Sequence, residues 1–248
     1  MIDIHVHILP ELDDGAPDME TALTMAELAV KSGVTAVIAT PHSNMPDYFE
    51  NYYGEGLYEA FTSFRSAIRR AGIELQVYLG MEIFGTPQTA QLLRQGRLTT
   101  LAESGYPLIE FPFRNYEQEA TQILRQVAAM GYRPVVAHPE RYAYVQDNPA
   151  IVNQWLKMGC LLQLNRGSLQ GHFGRAPQVM AYSLVERGFA SFVASDAHSA
   201  LQRTTWMLDA YTLLQEEFGE DTARLLLEDN PRRILLNRVI FMREPEWF

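Results

Sequence analysis

The sequence predicts an α/β protein, a parallel barrel formed as a single domain over residues 1–248. Seven short apolar stretches rich in β-branched residues recur along the chain, longer segments with helical periodicity lie between them, and glycine or proline marks the junctions. Unbroken alternation of strand and helix implies a parallel sheet, and strands that are apolar almost throughout imply burial on both faces. No linker, repeat or low-complexity tract divides the chain.

The first strand is MIDIHVH, residues 1–7. A helix follows over 19–32, where Leu23, Ala26, Leu28 and Val30 fall near helical spacing, Pro17 and Asp18 open the segment, and Gly33 lies just past its end. The strands TAVIATPH (35–42) and LQVYLGMEI (75–83) flank a helix over 57–71, and YPLIEFP (106–112) leads into a helix over 118–130. RPVVAHPE (133–140), LLQLN (161–165) and SFVASDAH (191–198) complete the strands, with helices over 151–158, 178–187 and 201–218.

Composition narrows the function. A 47% hydrophobic content supplies a large core, and a 20% charged fraction is ordinary for a soluble domain. A net charge of −10 without a basic stripe argues against nucleic acid, because a phosphate backbone needs several cations in one place. No apolar run approaches the roughly eighteen residues that span a bilayer, so membrane insertion is not expected. Acids stand where a signal peptide would carry positive charge, and a cytoplasmic location is expected. The one cysteine, Cys160, has no disulfide partner, so metal chemistry must rest on His, Asp and Glu.

Position along the strands carries the functional argument. His5, His7, His42, Glu82, Glu110, His138, Asp196 and His198 all stand at the C-terminal ends of predicted strands, and they include five of the six histidines. In parallel barrels the loops after the strands form the working face, where side chains from several strands converge. His5-Val6-His7 is an i, i+2 pair, and alternate strand residues share a face, so both imidazoles can serve one ion. Asp196-Ala197-His198 repeats the spacing. A single H-x-H is weak evidence and is commonly two half-buried strand histidines; the matching acids and histidines at equivalent strand ends are what that reading leaves unexplained.

Glu82 and Glu110 sit in LGMEIF and PLIEFPF, where an unpaired buried carboxylate would cost several kcal/mol and a metal ion or an arginine partner would relieve it. Asp13-Asp14-Gly15 reads locally as a turn with glycine at positive φ, but its place after the first strand makes Asp14 a further candidate ligand. Arg141 and Arg203 follow His138 and His198 closely and suit phosphate oxygens, with surface ion pairs as the ordinary alternative. Cys160 and Arg166 match the C-x5-R spacing of cysteine phosphatases, yet the intervening residues form an apolar strand without glycine, unlike an anion-binding loop. His172 matches no strand end, and the aromatic loop 45–56 either rims the site or packs on neighbouring helices.

The motifs MIDIHVHILPELDDG, IATPHSN, GMEIF, LIEFP, HPERY, NRGSLQGHFG and SDAH, in this order, resemble the polymerase and histidinol phosphatase (PHP) superfamily. Within it they resemble the capsule-type bacterial metal-dependent protein-tyrosine phosphatases. The resemblance implies a distorted, TIM-like (β/α)7 barrel with three divalent ions, usually manganese. By the same resemblance His5, His7, Glu82 and Asp196 hold one ion, Glu82, Glu110 and His138 a second, and Asp14, His42 and His198 the third, while Arg141 and Arg203 grip phosphate. Ser43 stands where relatives often have histidine, and the terminal REPEWF has no counterpart. Iron, zinc or magnesium remain chemically open.

The function expected is hydrolysis of phosphotyrosine by an ion-activated water, with an autophosphorylated tyrosine kinase of capsule or exopolysaccharide synthesis as partner. A histidinol-phosphate-type small-molecule phosphatase, a non-catalytic module binding a phosphotyrosine tail, and a nuclease are the alternatives, the last disfavoured by charge.

Overall fold

Nine short strands carry the predicted alternation in the computed structural model, which describes residues 1–248. They are β1 (Ile2–Val6), β2 (Ala36–Ala39), β3 (His42–Ser43), β4 (Gln76–Leu79), β5 (Glu82–Phe84), β6 (Leu108–Glu110), β7 (Val135–Ala137), β8 (Leu161–Asn165) and β9 (Ala190–Ala194). All ladders are parallel, in a three-stranded sheet ordered β1-β2-β4 and a six-stranded sheet ordered β3-β5-β6-β7-β8-β9.

Two of the seven predicted strands are thus each divided in two. Pro41 lacks an N–H to continue the β2 ladder, and Gly80 packs so close to Ile38 that a Cβ would lie 2.9 Å from its Cγ2. Backbone bonds still cross both breaks, from Gly80 N–H to the Ala39 carbonyl at 2.8 Å and from Glu82 N–H to the Pro41 carbonyl at 3.1 Å. β1 meets the end of β9 through an isolated bridge between Val6 and Ala197, where Asp196 N–H donates to His5 and His7 N–H to Ala197, each at 2.9 Å. The architecture is an α/β fold of two parallel sheets whose edges approach one another at these points.

Alternation sorts the side chains. On β6, Ile109 joins the large apolar cluster shared with the helices, whereas Leu108 joins a smaller one with Ile4, Ile38, Val135, Leu161 and Phe192. Glu110, two residues beyond Leu108, shares its face, so one face is apolar at its N-terminal end and polar at its C-terminal end. In β1 a register irregularity between Asp3 and Val6 changes the phase, and His5 and His7 follow Ile2 and Ile4 to that face.

The helices follow the sequence closely in most places. Met19–Lys31 is capped by Asp18, whose side chain accepts from Thr21 N–H at 2.7 Å, and Gly33 leaves the helix at φ 89°. Glu55–Arg70, Glu117–Ala128, Ile151–Lys157 and Arg175–Glu186 differ from expectation by at most a few residues. The helix expected over 201–218 begins only at Leu208. The preceding segment is held as a loop by Ser199 Oγ, which accepts from Leu201 and Gln202, and by Thr205, which donates to the Met25 carbonyl at 2.5 Å. Unforeseen helical turns at 220–235 include a π segment, Leu225–Asp229, before Pro231. The unmatched C-terminus packs Trp247 and Phe248 onto Phe189, with Arg187 over Phe248.

Candidate metal centre

The nine residues singled out as ligands come together. His5 and His7 leave β1 side by side, their Nε2 atoms 3.2 Å apart and 3.1 and 3.2 Å from Glu82 Oε2. Asp196 Oδ1 lies 3.5 and 3.6 Å from the same two nitrogens. His42 Nδ1 lies 3.1 Å from both Glu82 Oε2 and Glu110 Oε1, and His138 Nε2 is 3.0 Å from Glu82 Oε1 but 3.9 Å from Glu110. Asp14 Oδ1, on an exposed side chain, is 3.5 Å from His42 Nε2 and 3.3 Å from His198 Nε2.

Three histidine placements differ from the grouping that the resemblance implies. Donor atoms cluster as His5, His7, Glu82 and Asp196; as His42, Glu82 and Glu110; and as His7, Asp14, His42 and His198. His42 thus faces two clusters, one through each ring nitrogen, and His7 borders the outer one, while His138 approaches the second from the far side of Glu82. The reason is geometric, since β3 pairs directly with β5 and sets His42 opposite Glu82 in register.

These donors fit a metal ion better than they fit one another. Donors about 2.1 Å from a shared ion lie roughly 3–3.5 Å apart, the spacing seen here, whereas charged N–H···O bonds close to about 2.7–2.9 Å. His42 Nδ1, Glu82 Oε2 and Glu110 Oε1 are buried and have no hydrogen-bond partner at all, although they face each other. The donor set is entirely nitrogen and oxygen, which suits borderline and hard divalent ions.

Electrostatics agree. Burial opposes charge on His5 and His7, yet both are raised, His5 by Glu82 and Asp196 and His7 by Asp13 and Glu82. His42 reaches about 9 for the same reason, Glu82 outweighing its burial. Burial pushes Glu82 and Asp196 up, but His5 and His42 beside the first, and His5 and Arg203 beside the second, hold both below the usual carboxylate range. A hydrogen bond from His198 holds Asp14 at about 2, while burial and His7 lower His198 itself. Without an ion, protons on imidazoles balance the acids.

The backbone aims two of these groups. His138 and Asp196 follow β7 and β9 in left-handed conformation, φ 34° and 50°, which costs a non-glycine residue on the order of 1 kcal/mol or more and turns the chain sharply at the strand end. Gly15 serves close approach rather than positive φ: a Cβ there would fall 2.2 Å from the His7 carbonyl oxygen. That proximity brings the Asp13-Asp14 pair back under His7.

Arg141 and Arg203 both reach Asp196 Oδ2, at 3.4 and 2.6 Å. Phe173 packs against both, 4.2 Å from the Arg141 guanidinium carbon and 5.8 Å from that of Arg203, and Phe113 also lies against Arg141 at 4.7 Å. The aromatic loop divides: Phe49 stacks parallel on His42 with centroids 5.6 Å apart, whereas Tyr52 and Tyr53 turn away to Arg97 and Glu103. His172 is exposed on its loop. Cys160 is buried with its thiol pushed up to about 12 by burial, and residues 161–165 are strand β8 rather than an anion cradle.

Sequence reasoning missed the groups that hold the ligands. Asp13 Oδ2 accepts from His7 Nδ1 at 2.7 Å and from His42 N–H at 2.8 Å; its neighbour Asp14 drew attention instead. Gln163 and Asn165 reach His5 and Asp196 from β8. Their i, i+2 spacing in an otherwise apolar strand was the available signal.

Comparison with known proteins places the chain. The family model "Capsular polysaccharide synthesis, CpsB/CapC" matches residues 1–236. Tyrosine-protein phosphatase YwqE of Bacillus subtilis is 37% identical over 99% of this chain and 96% of its own, and tyrosine-protein phosphatase CpsB of Streptococcus pneumoniae 31% over 97% and 100%. A crystal structure from work on those two, described as unique metal-dependent tyrosine phosphatases, superposes with a TM-score of 0.94 at 36% identity, covering 100% of this chain and 99% of that one. With this agreement in sequence and backbone over nearly the full length, the chain belongs to the CpsB/CapC family of capsular polysaccharide synthesis.

Proposed function

We propose that this protein is a metal-dependent protein-tyrosine phosphatase, a phosphoric monoester hydrolase. The observation that carries the reading is the meeting of unpartnered buried His42 Nδ1, Glu82 Oε2 and Glu110 Oε1 beside a pair of arginines, in a chain whose relatives are named tyrosine phosphatases.

His5, His7, Glu82 and Asp196 would hold one ion, Glu82 and Glu110 with His42 or His138 a second, and Asp14, His42 and His198 a third, with manganese the favoured metal. Bound divalent ions lower the pKa of water toward neutrality and neutralise charge on a transferring phosphoryl group. The protein's part is orientation. Arg141 and Arg203, held by Phe113 and Phe173, present N–H groups to phosphoryl oxygens once a substrate replaces part of their contact with Asp196. A tyrosine leaving group, with a pKa near 10, leaves without the full protonation that an alkoxide needs.

The finer fold proposed is a distorted (β/α)7 barrel acting as one domain over residues 1–248, a reading supported by the isolated bridge between Val6 and Ala197 beyond the end of β9. The partner is a phosphotyrosine-bearing tail of a tyrosine kinase in capsule or exopolysaccharide synthesis, met in the cytoplasm. No helix is long and apolar enough to cross a membrane.

The test compares phosphate release from phosphotyrosine peptides and from histidinol phosphate before chelation, after chelation and after manganese addition. Turnover of the peptide that is lost on chelation and restored by manganese is expected; indifference to chelator, or preference for histidinol phosphate, rejects the reading.

A further inference from the structure

We propose that Gln163 and Asn165 of β8 form an amide relay that locks His5 as the Nδ1–H tautomer and orients Asp196, so that a strand without a candidate ligand positions two of the ligands of the first ion. The inference rests on the metal-dependent reading above and concerns how that site is built.

Three buried hydrogen bonds join end to end. Asn165 Nδ2 lies 2.5 Å from Asp196 Oδ2, Gln163 Nε2 lies 2.9 Å from Asn165 Oδ1, and Gln163 Oε1 lies 2.8 Å from His5 Nδ1. Both amides alternate onto the ligand-bearing face of β8 and are fully buried.

Donor and acceptor chemistry sets the direction of the chain. Asp196 Oδ2 already takes the Arg203 guanidinium at 2.6 Å and, as a carboxylate, can only accept. Asn165 must therefore turn its NH2 toward Asp196, which leaves its oxygen for Gln163. Gln163 must then donate to Asn165 and present its own oxygen to His5. An oxygen facing Nδ1 requires a proton there, and a neutral imidazole with Nδ1–H carries its lone pair on Nε2. That is the atom 3.1 Å from Glu82 Oε2 and 3.5 Å from Asp196 Oδ1.

The relay is anchored from behind. Glu140 Oε1 accepts from the Asn165 backbone N–H at 2.9 Å and from Ser168 Oγ at 2.6 Å, fixing the end of β8. His7 is oriented differently, by the Asp13 carboxylate at 2.7 Å. A neutral amide behind His5 fixes its tautomer without adding a further negative charge beside Glu82 and Asp196.

Two measurements test this. The first is nitrogen NMR of histidine-labelled wild-type protein loaded with diamagnetic zinc. His5 protonated at Nδ1 and unprotonated at Nε2 is expected, and coordination through Nδ1 overturns the proposal whatever any variant does. The second is manganese affinity of the metal-stripped protein by calorimetry, for wild type, Gln163→Leu and Gln163→Glu, with circular dichroism as the check on folding. Loss of the acceptor in Gln163→Leu should weaken binding about 10- to 100-fold, as outer-shell partners of metal-bound histidines typically do. Gln163→Glu still accepts from Nδ1 but cannot donate to Asn165 Oδ1, so it should recover only part of that loss, and full recovery would refute the link from Gln163 to Asn165. A folded Gln163→Leu that binds manganese as wild type does refutes the relay and leaves the metal site standing. Wild-type protein that binds no divalent ion refutes both.

Discussion

Along β6, Leu108 and Glu110 point to the same side of the sheet, yet one packs among Ile4, Ile38 and Phe192 and the other faces His42 across 3.1 Å. The same change runs along the other strands, from Ile2 to His5 and His7 in β1, from Leu161 to Gln163 and Asn165 in β8, and from Phe192 toward Asp196 after β9. One end of the face is a floor that gains stability from apolar burial, and the other is a rim that gathers buried acids and imidazoles at a cost in desolvation. The comparison teaches a division of labour: the floor carries the fold's stability through apolar burial, while the rim sets its charges against one another, with protons on the imidazoles balancing the acids where no ion is bound.

That division can be broken most severely at Glu82, whose two oxygens face His5, His7 and His42 on one side and His138 on the other. Glu82→Gln should lower kcat at least about 1000-fold with loss of bound metal, because it removes a charge shared between ion positions. Metal analysis and turnover check this, and thermal unfolding of the metal-free variant should remain cooperative. Arg203→Ala comes next, lowering kcat on an aryl phosphate by roughly 100- to 1000-fold if its N–H groups stabilise developing phosphoryl charge. Manganese stoichiometry, measured on the same preparation, should be unchanged.

The floor should respond in the opposite currency. Leu108→Ala deletes a fully buried side chain and should destabilise the fold by about 2–5 kcal/mol in urea titrations, while the protein that remains folded keeps its metal content. The smallest effect is a pH dependence. The folded value of His42, at about 9, lies above its ordinary 6.5, so the stability it contributes to metal-free protein is complete below pH 6.5 and is lost as pH rises through about 9. Melting temperature of the stripped protein should fall across that window, whereas manganese affinity should rise across it, since protons and ions compete for the same nitrogens. Parallel pH trends in the two measurements would contradict the picture of protons substituting for ions.

Much of this was legible in one dimension. Polar residues at the ends of apolar runs are rare enough that His5, His7, Glu82, Glu110 and Asp196 stand out, because burying them demands a compensating partner. Helix 19–31 was legible through its cap and its closing glycine, which act locally. Residues 201–207 were not, because a helical pattern of side chains was overridden by Thr205 and Ser199 bonding to distant or irregular backbone. The sequence pointed to Asp14 and left the role of Asp13 unread, because the close approach of Gly15 to His7, which sets the Asp13 carboxylate under the imidazole, is a tertiary contact.

By itself the sequence determined the alternation of strands and helices, the burial of the strands, and the polar side chains that stand at the strand ends, since periodicity and the cost of burying charge are properties of short segments. Tertiary structure alone decided which donor atoms cluster together, that His42 stands between two clusters, and that side chains of β8 reach His5 and Asp196. Those outcomes depend on strand register and on the direction of hydrogen bonds between residues far apart in the chain, from Gln163 to His5 and from Asn165 to Asp196, and no local pattern encodes them.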